Sequence, residues 1–341
     1  MRLRRPLFAL VAFAVFAVSL GAGAAVGYGD AAAPRAARLA VVASTDPGLG
    51  AATGAADQSA GSSTEPSASL TAGPAGSSAS PSPSPSISPP PSPTTIASWP
   101  LVAATAPGPA AGFSVRVPVL MYHRVAPADE FGDSLPGLVV SPDQFAAQLQ
   151  ALVAAGWRSI TAAQLAADLV GGITPPLRTF VITFDDGRSD GYTHALPILR
   201  RLGLVATFYV ITGRIGMTYN LSASQLRGMA AAGMEIGSHT VDHVRLASAN
   251  PPAARLQLTR SAATIARVTG QRPTTFAYPF GGLDPFAQSL VQEMGYAMAF
   301  TEVTGCQQSW WGRLASPRVR VSPSMLPADL LHRLEACTGV G

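Results

Sequence analysis

The feature that most limits what this chain can fold into is a break in composition near residue 112. Residues 30–112 are dominated by Ala, Ser, Pro, Gly and Thr, with PSPSPSISPPPSP at 81–93. Such a stretch has too few large apolar side chains to offset the entropy of ordering its backbone. It is therefore expected to be a disordered linker whose proline-rich part is extended and semi-rigid. Any hydrophobic core must come from residues 113–341.

The segment ahead of the linker has its own logic. Met1 to Arg5 carries three arginines, and 7–29 then reads LFALVAFAVFAVSLGAGAAVGYG without a charge. A basic start followed by an apolar run is the layout of a secretory signal. Ala22-Gly23-Ala24 suits signal peptidase, but the run is also nearly long enough to stay in a bilayer as an N-terminal anchor. Residues 1–29 are expected to be one or the other, with the domain secreted or held at the cell surface beyond a membrane or wall layer. In an exported chain an even pair of cysteines more often forms a disulfide than a metal site, so Cys306 and Cys337 are expected to be bridged. The net charge of +4 is mild, and the arginines are scattered. That argues against a nucleic-acid partner. The protein is expected to be a monomer.

From residue 113 onward, strand-like and helix-like segments alternate. VRVPVLMY precedes PDQFAAQLQALVAAG, then come RSI, TAAQLAADL and TFVITF, with further strands expected at 206–211, 234–239, 275–279, 296–300 and 318–321. SASQLRGMAAAG and ARLQLTRSAATIARVTG have apolar positions at helical spacing. The fold class expected is α/β, a distorted (β/α) barrel of about seven parallel strands. Such barrels do their chemistry at the C-terminal ends of the strands.

Four strand ends carry unusual polar residues: His123 after VPVLMY, Asp185-Asp186 after TFVITF, His239 after MEIGS, and the PFGG turn after TFAY. A lone Asp-Asp-Gly is usually a turn chosen for its backbone preferences. His239-Thr-Val-Asp-His243 is by itself as readily a pair of surface or helix-start histidines as a ligand pair, and it lacks the Glu after the first His that a zinc protease uses. The combination says more. Asp186, His239 and His243 supply two imidazoles and a carboxylate and leave positions open, as a catalytic metal site does. Asp185 beside them is placed to accept a proton from an attacking water.

TFDDG (183–187), HTVDH (239–243) and FAYPFGG (276–282) resemble the motifs of the polysaccharide deacetylases, the carbohydrate esterase family 4 domain, across most of residues 115–325. VPVLMYHRV at 117–125 is similar to the branch acting on exported poly-N-acetylglucosamine. The resemblance implies hydrolysis of N-acetyl groups on an amino-sugar polymer, a divalent ion held by Asp186, His239 and His243, and Asp185 as base. Zn2+ is the expected ion, with Co2+ and Ni2+ as alternatives. It also implies an early-strand His as general acid, here His123, against the competing reading of a strand-end histidine satisfied locally. His332, in DLLHRLEA, reads as a solvated residue of an amphipathic helix.

Ala277 stands where many family members have an Arg that orients the base, and Arg318 or Arg320 is the expected substitute, with Arg320 also readable as a surface charge. The backbone N–H of Phe280 is the expected oxyanion donor. Trp310 and Trp311 read either as a wall under a sugar ring or as core. Tyr122, Tyr278 and Phe184 read as core or pocket lining, and Tyr278, Trp310 and Arg318 form the expected substrate-binding set. His194 reads as a helix-flanking residue. Peptidoglycan, chitin oligomers and O-acetylated xylan are alternative substrates. A non-catalytic glycan-binding module is the rival from another class, and it would need neither Asp185 nor His123.

Overall fold

The structure, a computed structural model, describes residues 109, 110, 112–130 and 136–340. The expected export segment 1–29 and nearly all of the expected linker lie outside the described residues. The strands are β1 (Ser114–Arg116), β2 (Val119–Tyr122), β3 (Arg124–Val125), β4 (Val139–Val140), β5 (Arg158–Ile160), β6 (Thr179–Phe184), β7 (Thr207–Val210), β8 (Glu235–Ser238), β9 (Thr275–Ala277), β10 (Met298–Thr304), β11 (Gln307–Ser309) and β12 (Ser316–Arg320). The helices are α1 (Pro142–Ala154), α2 (Ala162–Gly171), α3 (Leu196–Arg201), α4 (Ala223–Ala231), α5 (Pro251–Thr269), α6 (Pro285–Glu293) and α7 (Pro327–Thr338).

Seven parallel strands close into a barrel in the order β2, β12, β10, β9, β8, β7, β6, and the ring shuts where β6 pairs with β2, Val119 opposite Val181 and Tyr122 opposite Phe184. β5 pairs with the start of β6, Arg158 opposite Thr179. Closure of this kind explains why all six residues of TFVITF are buried, since each face of a barrel strand is covered. Phe180, Ile182 and Phe184 pack outward with Phe145, Leu149 and Leu152 of α1. Val181 packs inward with Val119, Tyr209, Ala277, Met298 and Phe300. Leu165 and Leu169 of α2 join that inner cluster, so α2 covers the N-terminal end of the barrel. Glu235 accepts from the Ala163 N–H and from the Thr207 hydroxyl, 2.8 Å each, and from Thr275 at 2.6 Å, which fixes α2 there.

The segment VRVPVLMY is two strands, not one. Pro118 offers no N–H to a ladder; before it β1 pairs antiparallel with β11, and after it β2 enters the barrel. Helix starts follow ordinary capping chemistry: Ser141 caps α1, and Thr161 with Gln164 forms a capping box on α2. Among the described residues, no helix is long and apolar enough to cross a membrane.

Cys306, just after β10, is joined to Cys337 on α7, with Cα atoms 5.8 Å apart and a sequence separation of 31. The bridge ties the terminal helix, whose Leu330 and Leu334 are buried, to the end of a barrel strand. Closing a loop of that length stabilises by about 3–4 kcal/mol in the chain-entropy account. Replacing both cysteines by Ser is expected to lower the melting temperature by about 10 °C. Calorimetry of residues 113–341 checks this, and an unchanged melting temperature would contradict it.

Candidate active site

The barrel brings the unusual strand ends together at one mouth. β6 ends in Asp185-Asp186, β8 runs into His239, β9 runs into the Tyr278–Gly282 turn, and β2 ends one residue before His123. Asp186 Oδ1 lies 3.6 Å from His239 Nε2 and 3.4 Å from His243 Nε2, and one ligand atom from each of the three residues falls within 4.8 Å of the others. Two ligands about 2.1 Å from a tetrahedral ion stand about 3.4 Å apart. The contacts are too long for good hydrogen bonds, and Asp186 Oδ1 is buried with no hydrogen-bond partner. An orphaned carboxylate oxygen facing two imidazole nitrogens fits a divalent cation.

Surrounding groups prepare this set for an ion. His239 is buried, and its Nδ1 lies 2.7 Å from the Ala277 carbonyl oxygen. That carbonyl can only accept, so it places the proton on Nδ1 and leaves Nε2 as a bare ligand. Burial first, and then the neighbouring His239, lower the pKa of His243 to about 4, which keeps it neutral as a ligand must be. Asp186, Thr240, His243 and Phe280 all have positive φ, at 74°, 66°, 60° and 58°. A non-glycine residue held this way costs about 1–3 kcal/mol. Gly187 at φ 67° has a second reason to be glycine, because a Cβ there would come within 3.0–3.1 Å of Val210 atoms. Asp185 therefore leaves the barrel in one direction and Asp186 in another, through two successive left-handed residues.

Asp185 is gripped by Arg318. Nη1 donates to Oδ1 at 2.8 Å and Nη2 to Oδ2 at 2.7 Å, and both side chains are almost wholly buried. Arg318 also donates to the Thr301 carbonyl at 2.9 Å and to Thr183 at 3.1 Å. Burial alone would raise the Asp185 pKa, but the Arg318 charge and hydrogen bonds, with His239 and His123, outweigh it and hold the carboxyl well below the usual range. Of the two arginines on β12, Arg318 thus sits on Asp185, while Arg320 makes an exposed 2.7 Å pair with Glu302.

His123 faces the same cluster. Burial lowers its pKa, the charges of Asp185 and Asp186 pull it upward, and those of Arg318 and Arg320 push it down. His332 lies on α7. The Phe280 ring is half exposed, 4.4 Å from the His243 ring, with the Arg245 guanidinium 5.4 Å from its centroid. The turn's own bonds run from the Gly281 N–H to Tyr278 and from the Gly282 N–H to Pro279. The Phe280 N–H precedes both donors and is left over by that pattern.

Tyr278 is fully buried, its hydroxyl donating to the Leu314 carbonyl at 2.9 Å. Trp310 is buried beneath Arg313, whose guanidinium lies 3.8 Å from the ring centroid, and Trp311 is exposed. Tyr122 is core, donating to Gln148 at 3.0 Å, and Phe184 stacks on Phe208. His194 lies 3.0 Å from Glu130.

Two supporting contacts were invisible to motif reading. Asp190, further along the Asp185-Asp186 loop, binds Arg124 Nε at 2.7 Å and accepts from the Val125 N–H at 3.1 Å, which ties the His123 end of β2 to the loop after β6. Gln257 of α5 accepts from the Val241 and Asp242 N–H groups and donates to the Asp242 carboxylate, holding the turn between the two histidines. The only signal available was the charged pair in HRV and DDGRSD, and Gln257 gave none.

Comparison with known proteins agrees with this geometry. The polysaccharide deacetylase family profile matches residues 172–299. The chain is 31% identical over 210 residues to YxkH of Bacillus subtilis, whose name assigns it to the polysaccharide deacetylases; the match covers 62% of this chain and 73% of that one. It is 25% identical over 205 residues to the poly-β-1,6-N-acetyl-D-glucosamine N-deacetylase of Staphylococcus aureus, over 53% of this chain and 70% of that one. The solved Streptococcus pyogenes deacetylase PplD in complex with acetate superposes with a TM-score of 0.60 at 29% identity, covering 64% of this chain and 98% of that one. With the barrel, the carboxylate pair at the end of β6 and a match across most of a relative's length, the chain belongs to the polysaccharide deacetylase family of hydrolases.

Proposed function

We propose that this protein is a divalent-metal-dependent N-deacetylase of an extracellular amino-sugar polymer, poly-N-acetylglucosamine in the first place. The observation that carries the reading is Asp186 Oδ1, buried without a hydrogen bond between two imidazole nitrogens and one residue from a carboxylate clamped by Arg318. The N-acetylglucosamine polymer is favoured by the S. aureus relative and by the MYHRV start. Export rests on the basic and apolar layout of 1–29.

Asp186, His239 and His243 would hold the ion, which when bound supplies an acidified water and polarises the acetyl carbonyl. The chain's own groups do the rest. Asp185 receives the proton of the attacking water. Arg318 makes it a weaker base than a free carboxylate but keeps it ionised and fixed in direction, so positioning and not basicity is what it contributes. The Phe280 N–H donates to the oxygen that becomes negative in the tetrahedral state. His123 delivers a proton to the departing nitrogen, so that the C–N bond breaks to give acetate and a free amine.

Chelation is expected to abolish acetate release and added zinc, cobalt or nickel to restore it, and His239→Ala or His243→Ala is expected to lose bound metal by elemental analysis. Full activity in a verified metal-free sample would sink the reading. His123→Ala is expected to slow turnover by about 10²–10⁴-fold with metal content unchanged, while His332→Ala has little effect; the reverse result moves the acid to the terminal helix. Arg318→Met leaves Asp185 buried without its partner, so a stability loss of about 3–5 kcal/mol is expected in denaturant unfolding, and a loss below 1 kcal/mol would contradict the clamp. The substrate is tested by acetate release from residues 113–341 on poly-N-acetylglucosamine, chitin oligomers, peptidoglycan and acetylated xylan. Release from xylan alone would replace the amide reading with an ester one.

A further inference from the structure

Tyr219 lies in the loop between β7 and α4, outside every motif discussed so far. That loop is bound to the segment following the two aspartates by backbone contacts. The Leu221 N–H donates to Gly187 at 2.9 Å, the Ser189 N–H donates to Tyr219 at 3.0 Å, and Arg188 bridges antiparallel to Asn220 between them. The ring is thereby carried on the same rigid piece of backbone as Asp186, so its position relative to the reacting centre is fixed and not left to a free loop.

The residue is poorly explained by folding alone. It is 58% exposed, so little of its ring surface is buried in the core. Its φ of 63° is unfavourable for a bulky side chain. The Arg188 guanidinium lies over the ring, 5.9 Å from the centroid. Tyr219 lines a cavity of about 280 Å³ whose other walls include Arg124, Ser189, Asp190, Thr193 and Glu130. Arg124 and Asp190 hold each other, and Glu130 meets His194; the Asp129 carboxylate, the Ser189 hydroxyl and the Thr193 hydroxyl, which makes a long 3.5 Å bond to the Ser189 carbonyl, are the remaining polar groups of the lining. One aromatic surface with hydroxyl and charged groups around it matches a pyranose, which offers an apolar C–H face and a rim of hydrogen-bonding groups.

The geometry points to Tyr219 as the stacking platform for a sugar unit next to the one being deacetylated. It is a substrate-positioning residue: it selects a chain of sugars over a single acetylated unit, and it touches no reacting atom. This rests on the proposed reaction, since the neighbouring unit exists only if the substrate is a glycan polymer. A platform of this kind binds ground state and transition state alike, so its loss appears in KM and not in turnover.

The test compares the parent protein with Tyr219→Ala and Tyr219→Phe on a pentamer of N-acetylglucosamine, in the glycosidic linkage from which the parent releases acetate fastest. Tyr219→Ala is expected to raise KM by about tenfold with kcat within about twofold, while Tyr219→Phe keeps the parent's KM because the ring is retained. An unchanged KM in Tyr219→Ala overturns the proposal while leaving the deacetylase reading intact. So does a fall in kcat with unchanged KM, or a loss that Phe does not rescue. If the parent releases acetate from no pentamer, the deacetylase reading fails first and the subsite with it.

Discussion

The buried pair of Asp185 and Arg318 is the interaction on which the site depends. It joins the end of β6 to the middle of β12, two strands that are not neighbours in the ring but lie on either side of β2. Neither partner is tolerable alone in that position, because an uncompensated buried charge costs several kcal/mol. Together they make two parallel hydrogen bonds, and Thr183 and Thr301 take most of the remaining guanidinium donors. The result is a carboxylate that cannot rotate and cannot be protonated near neutrality. It is held next to the one carboxylate of the site whose oxygen has no partner.

Strain is concentrated around the same point. Of the six non-glycine residues with positive φ among the described residues, Asp186, Thr240, His243 and Phe280 belong to the site and Tyr219 to the loop bonded to it. Each such residue is unfavourable in isolation. The barrel can hold them because β6, β8 and β9 are locked in register below, and because Gln257, Thr240 and the Ala277 carbonyl fix the turns above. A rigid sheet supporting strained strand ends is a physical reason for the candidate site to be at this mouth and not at the other, where Glu235 has its hydrogen bonds satisfied by α2 and two threonines.

The barrel was legible because its strands are buried on both faces, which turns TFVITF and ATFYVI into unbroken apolar runs bounded by polar turns. The strand ends were legible because carboxylates and imidazoles there have no packing reason to exist. What escaped was of two kinds. Pro118 lies inside one continuous strand-like run, and such a run says nothing of which ladder each half joins. The Arg124–Asp190 pair and the Gln257 contacts join residues 66 and as few as 15 positions apart through side chains with no periodic signature. The sequence leans only slightly toward Arg318 over Arg320: they differ by two positions on one strand, and the closed ring puts the first against Asp185 and the second beside Glu302 at the surface.

The proposed metal site requires three side chains to share one ion. X-ray absorption on the zinc-loaded protein measures that sharing without relying on turnover. Two imidazole nitrogens and one carboxylate oxygen at about 2.0–2.2 Å, with the imidazole signal reduced to one in His243→Ala, is the predicted result. A shell containing sulfur, or one whose imidazole count does not change in that variant, would contradict it.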